Sequence, residues 1–162
     1  MPRTTFQTSL GRCAIAWGDA GLARFELPEA AIRSEDVASP PPEIAAIIAR
    51  VGKHLAGEPQ DFAALRFDFA QTPEFQQQVY AATLAVKSGR TASYGEIAAA
   101  IGQPPAASRA VGSALGANPW PLLIPCHRIV AADGKMTGFS GPGGIKTKLR
   151  LLALEGSELF AE

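Results

Sequence analysis

The sequence predicts an α+β protein in which a small N-terminal sheet-and-helix domain precedes a mostly helical C-terminal domain. Short apolar stretches separated by turn residues occupy the first 27 positions and are typical of strands. A helix start signal near residue 72 opens a run of helical patterns. Two short helical patterns joined by a glycine-containing turn then predict a helix-turn-helix. We therefore place an N-terminal α+β domain at 1–70 and a C-terminal domain at 72–162.

The N-terminal residues predict a meander, a helix and one more strand. The meander consists of three short antiparallel strands: Thr4–Thr8, Cys13–Trp17 and Leu22–Leu27. After an acidic, proline-rich loop, one helical face is apolar at Ile44, Ile47, Ile48, Val51 and Leu55. The helix is expected to stop at Gly57. Leu65, Phe67 and Phe69 alternate with polar residues and predict a half-buried strand. No residue of this domain indicates chemistry, and we interpret His54 as structural.

The C-terminal domain opens with a predicted helix whose cap is Thr72 and whose first position is Pro73. Four residues form its inward face: Phe75, Val79, Ala82 and Val86. Gly89 is expected to end it. Ser93 and Glu96 have capping-box spacing, which predicts a short helix ended by Gly102. A last helix, beginning near Ile145, carries an apolar stripe.

The second helix of the helix-turn-helix, from about Pro105 to Leu115, carries mostly small side chains and one long polar side chain, Arg109. A helix that reads major-groove base edges would carry several Asn, Gln, Arg or Lys residues. This helix is better suited to approach a nucleic-acid backbone closely and insert one arginine. Close helix packing in a core is the alternative explanation of the small residues.

Charge separates along the chain although the formal net charge is zero. Residues 85–150 contain eight basic and two acidic side chains, a net charge of +6, which leaves −6 elsewhere. A basic C-terminal half suits an anion such as a nucleic-acid backbone, although a solvated surface whose charges happen to segregate explains it equally well.

Composition and cysteine usage narrow the class of protein. At 47% hydrophobic and 19% charged residues, the chain is not a disordered tail. Cys13 and Cys126 lie far apart without CxxC spacing, which argues against structural zinc and a secreted disulfide framework. The sequence shows neither a signal peptide nor an apolar run long enough to span a bilayer. We expect a cytoplasmic protein without membrane contact.

Candidate chemistry centres on Cys126, which ends an apolar, proline-flanked run and precedes His127 and Arg128. Neighbouring cations lower a thiol pKa because they favour the thiolate. A Cys-His pair alone is weak evidence, since most buried cysteines are inert. The glycine-rich loop 138–144 lacks the Walker pattern but could shape a pocket or bind a phosphate. Glu155 would ordinarily lie at the surface unless a cation lies beside it.

Five strings in this order resemble the O6-alkylguanine-DNA alkyltransferases: SYGEIA, ASRAVG, ANPWPLLIPCHRIV, GFSGPGG and KLRLLALEG. The resemblance covers about residues 72–156, and the PCHR string after Asn-Pro is highly specific. It implies DNA repair by direct reversal, in which one protein molecule irreversibly accepts one alkyl group from O6-alkylguanine in double-stranded DNA. It also implies a monomer that uses no cofactor and no metal, and it leaves repair of O4-alkylthymine open.

The resemblance also implies catalytic roles for five residues. Cys126 would accept the alkyl group, and His127 would take the thiol proton through a water molecule. Glu155 would orient the imidazole and stabilise its positive charge. Asn118 would hold the turn that presents the thiol, and Tyr94 would donate a hydrogen bond toward the guanine ring nitrogen.

The remaining roles concern the substrate and DNA. Ser140 would donate toward O6, and Gly141 would help shape the alkyl pocket. The backbone amides of Ile124, Val130 and Gly141 are further expected contacts. In the family the helix-turn-helix enters the minor groove, and the arginine matching Arg109 fills the space of a flipped nucleotide. The small residues of that helix expected against DNA are Ala107, Ser108 and Ser113.

Two other classes compete with this interpretation. An alkyltransferase-like protein could bind lesions without transferring the group, but such relatives replace the acceptor cysteine that Cys126 retains. A helix-turn-helix regulator would need base-reading side chains that this helix lacks.

Overall fold

The computed structural model describes residues 2–28, 39–131 and 144–156. It begins with three antiparallel strands in the order β1 (Arg3–Thr8), β2 (Gly11–Gly18) and β3 (Gly21–Glu26). Thr4 pairs with Ile15 in β2, and Ala14 of β2 pairs with Glu26. The predicted meander is therefore confirmed, with each strand beginning one or two residues earlier than expected.

Helix α1 (Pro42–Leu55) follows and begins with proline, whose missing amide hydrogen costs nothing in the first turn. Four of the five residues of the predicted apolar face are buried, and so is one unpredicted polar residue, His54. Gly57 lies two residues after its end, in a left-handed conformation. Helix α1 lies against β1 and against the last helix of the chain.

In the described residues, the C-terminal part contains four α-helices and a short parallel strand pair. The helices are α2 (Glu74–Leu84), α3 (Tyr94–Ala100), α4 (Ser108–Gly116) and α5 (Gly144–Leu154). The strands β4 (Ala92–Ser93) and β5 (Ile129–Val130) pair in parallel. This pairing joins the start of α3 to the residues that follow the 3-10 turn Cys126–Arg128.

Helices α3 and α4 form the predicted helix-turn-helix and both contact α2. The capping box is present, because the Ser93 hydroxyl accepts from the Glu96 amide and the Glu96 carboxylate accepts from the Ser93 amide. Gly102 ends α3 with a φ of +76°, which glycine adopts without steric cost. The second helix differs from the prediction in its first turn, because Pro105–Ala107 form a 3-10 turn before α4 begins.

Two predicted features of residues 65–72 are wrong. The segment around Phe67 is not a strand but a single bridge to Leu22, formed by two backbone hydrogen bonds of 2.8 Å. Its apolar alternation instead reflects aromatic packing, because Phe67 and Phe69 both lie against Trp120. Thr72 does not cap α2, since the cap position is Pro73 and no side chain caps the helix.

The predicted inward face and end of α2 are also partly wrong. Val79 is fully buried, but the other buried residues of α2 are Tyr80 and Thr83. The rest of the predicted face is half-buried: Phe75, Ala82 and Val86. The helix ends at Leu84, five residues before Gly89.

Trp120 joins the two parts of the chain. Its indole N–H donates to the Leu22 carbonyl at 3.0 Å, and the Phe25 amide donates to the Pro119 carbonyl at 3.0 Å. Its ring also packs edge-on against Tyr80 of α2. These contacts hold the loop before Cys126 against the N-terminal sheet. The division into 1–70 and 72–162 stays a prediction. In the described ranges, no helix is long and apolar enough to cross a bilayer.

Candidate active site

The loop before Cys126 is held by the Asn118 side chain. Its carbonyl oxygen accepts from the Trp120 amide at 2.9 Å, and its amide group donates to the Ile124 carbonyl at 2.9 Å. The Ile124 amide donates to the Trp120 carbonyl at 2.9 Å, and its contact with substrate stays a prediction. Leu122 lies within this loop at a φ of 78°, a strained conformation for leucine that costs about 1–3 kcal/mol.

Pro125 turns the chain into the cysteine. Its φ of −80° and ψ of 65° form an inverse γ-turn, in which the Cys126 amide donates to the Ile124 carbonyl at 2.7 Å. The ring of proline restricts φ to this range. A 3-10 turn, Cys126–Arg128, follows, and all three of its residues are buried. The two hydrogen bonds of Asn118 therefore link the residues on either side of the loop that leads into this turn.

Burial raises the pKa of the Cys126 thiol, although the Asn118 side chain, the Lys148 ammonium and nearby backbone amides favour the thiolate. The net direction of the shift is therefore opposite to the lowered pKa that the adjacent His127 and Arg128 led us to expect. Arg128 turns away from the sulfur, with its guanidinium on Glu155 and on the Val86 carbonyl. Cys126 therefore rests as a thiol and needs a base.

His127 is placed to be that base. Its Nε2 lies 2.9 Å from Glu155 Oε2, and the side chain is fully buried. Its Nδ1 has no hydrogen-bond partner among the described residues. Burial lowers the pKa of His127 and the Glu155 carboxylate opposes this shift, so the ring is neutral at pH 7. A neutral ring that donates through Nε2 keeps a free lone pair on Nδ1.

Glu155 is held by two hydrogen bonds from one guanidinium. Arg128 Nε donates to Oε1 at 2.9 Å, and Arg128 Nη2 donates to Oε2 at 2.7 Å. Burial would raise the pKa of Glu155, but the hydrogen bonds from Arg128, His127 and His54 outweigh it and lower the pKa well below its usual range. Glu155 is therefore ionised, and Arg128 is the cation beside it.

His54 also contacts this carboxylate. Its Nε2 lies 2.8 Å from Glu155 Oε2, although the two residues are 101 positions apart. The N-terminal part thus contributes a side chain to the site, which the interpretation of His54 as merely structural did not anticipate.

Lys148 lies near enough to Cys126 for their charges to interact, and its ammonium lies over the ring of Tyr94. Lys148 is buried, donates to the Ile129 carbonyl at 2.7 Å, and lies 5.9 Å from the centre of the Tyr94 ring. Burial lowers the pKa of Lys148 to about 8, although the charge of the Cys126 thiolate opposes this shift. Tyr94 is half-buried at the start of α3, directly after the strand that pairs with β5.

The helix-turn-helix presents a surface of small residues. Arg109 and Ser113 are exposed on α4, whereas Ala107 and Ser108 are half-buried at its start. The Ser108 hydroxyl donates to the Pro105 carbonyl at 2.8 Å. Within the described residues, no group of three or more His, Cys, Asp or Glu side chains could hold a metal ion.

Comparisons with known proteins show which family the chain belongs to. The family model "6-O-methylguanine DNA methyltransferase, DNA binding domain" matches residues 74–157. A methylated-DNA–protein-cysteine methyltransferase of Methanothermobacter thermautotrophicus is 36% identical over 145 residues, which cover 90% of this chain and 80% of the relative. The chain belongs to this methyltransferase family.

The family relationship extends to solved structures. The crystal structure of Mycobacterium tuberculosis OGT in complex with DNA has a TM-score of 0.81 and 36% sequence identity, covering 96% of this chain and 93% of that one. The methylated-DNA–protein-cysteine methyltransferase of the same organism is 46% identical over 113 residues, 70% of this chain and 66% of the relative. The α+β fold of this methyltransferase is therefore shared over nearly its whole length.

The structure of this methyltransferase brings together most of the predicted site. Cys126, His127 and Glu155 form one buried group, the half-buried Asn118 contacts Cys126, and Tyr94 lies beside Lys148. Ser140 and Gly141 lie outside the described residues.

Sequence reasoning missed three residues of the site. Arg128 belongs to the PCHR string. A buried Glu155 requires a cation beside it, and this requirement could have pointed to Arg128. Lys148 lies within the apolar stripe of the last helix. A lysine in such a stripe is buried only when it has a polar partner, so its position could have indicated one. His54 gave no local signal, because only the tertiary fold brings it to Glu155.

Proposed function

We propose that this methyltransferase repairs DNA by transferring the alkyl group of O6-alkylguanine to Cys126, once per protein molecule. The observation that carries the proposal is the buried Cys126 beside His127, whose Nε2 is hydrogen-bonded to Glu155 while Nδ1 has no partner among the described residues. This is the arrangement of a nucleophile, a base and a carboxylate that orients the base.

The proton leaves the thiol through His127. Nδ1 takes the Cys126 proton through a water molecule, and the resulting imidazolium keeps its Nε2–H on Glu155. Because Arg128 holds Glu155 ionised, the carboxylate stabilises this positive charge and does not itself take the proton. The thiolate forms only when the base acts, which suits a buried thiol with a raised pKa.

The bond changes explain why the protein is consumed. The thiolate sulfur forms a bond to the alkyl carbon while the bond from that carbon to guanine O6 breaks and leaves its electron pair on the base. Protonation of guanine completes its departure, with Tyr94 donating toward the ring nitrogen and Ser140 toward O6. The thioether has no carbonyl for water to attack, so Cys126 stays alkylated.

In this proposal the protein is a monomer that binds double-stranded DNA through its helix-turn-helix. Small side chains at Ala107, Ser108 and Ser113 let the helix approach the minor groove closely. The exposed Arg109 then occupies the space that the flipped nucleotide leaves. The net charge of +6 over residues 85–150 supports contact with phosphates.

Arg109→Ala tests this proposal, because only repair of a duplex requires nucleotide extrusion. We expect methyl transfer from a duplex with one O6-methylguanine to fall about tenfold or more, while transfer from free O6-alkylguanine base is unchanged. The measurement is the rate of label transfer from each substrate. Arg66→Ala, which removes an exposed arginine of the N-terminal part, is the matched control and should leave both rates unchanged.

Equal losses on duplex and free base would contradict the role of Arg109. Absence of transfer from either substrate by the unmodified protein would contradict the proposed activity itself.

A further inference from the structure

His54 reaches the catalytic carboxylate from helix α1. Both its ring nitrogens are engaged: Nε2 lies 2.8 Å from Glu155 Oε2, and Nδ1 accepts from the Gln60 amide at 3.0 Å. Only 2% of the residue is exposed. The proposed proton transfer uses His127 and leaves this second histidine without a role.

The contact with Gln60 fixes the tautomer of His54. A backbone amide can only donate, so Nδ1 must keep its lone pair, and the single proton of the neutral ring lies on Nε2. A protonated ring would direct an Nδ1–H at the Gln60 N–H, 3.0 Å away. His54 therefore donates its Nε2–H to Glu155.

The charges around Glu155 make a neutral donor useful. Arg128 already balances the carboxylate, and protonation of His127 adds a second buried positive charge during the reaction. Lys148 adds a cation on the side of Cys126, while the exposed Asp61 lies near enough to Arg128 for their charges to interact. A further cation at residue 54 would oppose the imidazolium, whereas a neutral imidazole adds a hydrogen bond without charge.

Glu155 Oε2 accepts from three directions: His54 on α1, and His127 and Arg128 on the 3-10 turn. Arg128 and His127 both belong to the turn that carries Cys126, so their hydrogen bonds fix the carboxylate only relative to that turn. His54 adds an anchor on a separate element. If the carboxylate rotated or withdrew, His127 Nε2 would lose its hydrogen bond. The imidazole ring could then turn, and Nδ1 would no longer be held in one direction.

We propose that His54 is a positioning residue for the alkyl transfer, which holds the Glu155 carboxylate so that His127 directs Nδ1 toward Cys126. This inference rests on the proposed function. It makes the N-terminal part a contributor to the chemistry.

Two amide variants separate this role from a structural one. His54→Gln places an N–H near the position of Nε2 and keeps the donation to Glu155, whereas His54→Asn reaches only the region of Nδ1 and loses it. Each variant removes one of the two hydrogen bonds, so both should lower the melting temperature similarly. The probe is a duplex with one O6-methylguanine, and the methyl-transfer rate at saturating DNA is measured separately from DNA affinity.

We expect His54→Gln to keep the rate within about threefold and His54→Asn to lower it about tenfold, with DNA affinity unchanged in both. The pH profile gives a second readout. With one donor fewer, the Glu155 charge attracts a proton on His127 more strongly, so the apparent pKa of the acid limb should rise in His54→Asn only.

The inference is overturned if both variants transfer at the unmodified rate, or if both lose rate equally in step with melting temperature. An unmodified protein that transfers no methyl group would instead overturn the proposed function, and this control distinguishes the two failures.

Discussion

Cys126→Ser abolishes methyl transfer while the affinity for methylated duplex stays the same. A serine hydroxyl is a far weaker acid than a thiol, so proton transfer to His127 yields far less of the ionised nucleophile. We expect the rate to fall by at least about a thousandfold, which corresponds to about 4 kcal/mol of activation free energy. The measurement is incorporation of labelled methyl into protein, together with DNA binding by the same variant.

Cys13→Ala is the matched control, because it removes the other buried cysteine. Burial raises the pKa of Cys13 to about 11, although its contact with the Thr8 hydroxyl opposes this, and Cys13 lies within the N-terminal sheet. This variant should transfer at the unmodified rate. A serine variant at 126 that still accepts label would refute the assignment of the nucleophile.

Glu155→Gln should cost both stability and rate. The change leaves the buried Arg128 guanidinium without its counter-charge, and breaking such a pair costs about 3–5 kcal/mol. In a domain of this size the melting temperature should fall by roughly 6–20 °C. Transfer should slow as well, because a neutral amide cannot stabilise the His127 imidazolium. Thermal unfolding and transfer below the melting range measure the two effects.

The loss of stability in Glu155→Gln should depend on pH. The Glu155 pKa is lower in the folded protein than in the unfolded chain, so its stabilisation is present above about pH 4.3 and is lost as the pH falls below it. The difference in stability between the unmodified protein and Glu155→Gln should therefore shrink in acid.

Glu26→Gln is the matched control, because Glu26 is also a buried carboxylate paired with arginine but lies in the N-terminal sheet. Glu26 contacts Arg3 at 3.0 Å and Arg24 at 3.2 Å, whose side chains are 15% and 58% exposed, so both retain more contact with water than the Arg128 side chain, at 7%, when the pair breaks. We expect a smaller loss of stability and no change in transfer rate. An equal loss of rate in both variants would contradict a specific role for Glu155.

Features that depend on local sequence were predictable. The capping box at Ser93 and the glycine that ends α3 act within one helix, so their residue types and spacing determine the structure. The three strands up to residue 26 were predicted correctly for the same reason. Cys126 and His127 are adjacent, and a short motif was enough to find them.

Features that depend on tertiary contacts were not predictable. Aromatic alternation around Phe67 imitates a strand because its side chains pack on Trp120, a residue 53 positions later. The direction of the Cys126 pKa shift was missed because burial, which the sequence does not show, outweighs nearby cations. His54 meets Glu155 only through the packing of α1 against α5.

The central claim is that Cys126 accepts one alkyl group per molecule. Its most direct test is the mass of the intact protein after incubation with excess duplex carrying one O6-methylguanine, followed by peptide mapping. We predict a gain of one methylene mass that saturates at one per protein and lies on the peptide containing Cys126. Tight binding of the lesion without a change of mass would contradict the claim and indicate a lesion-binding protein that transfers nothing.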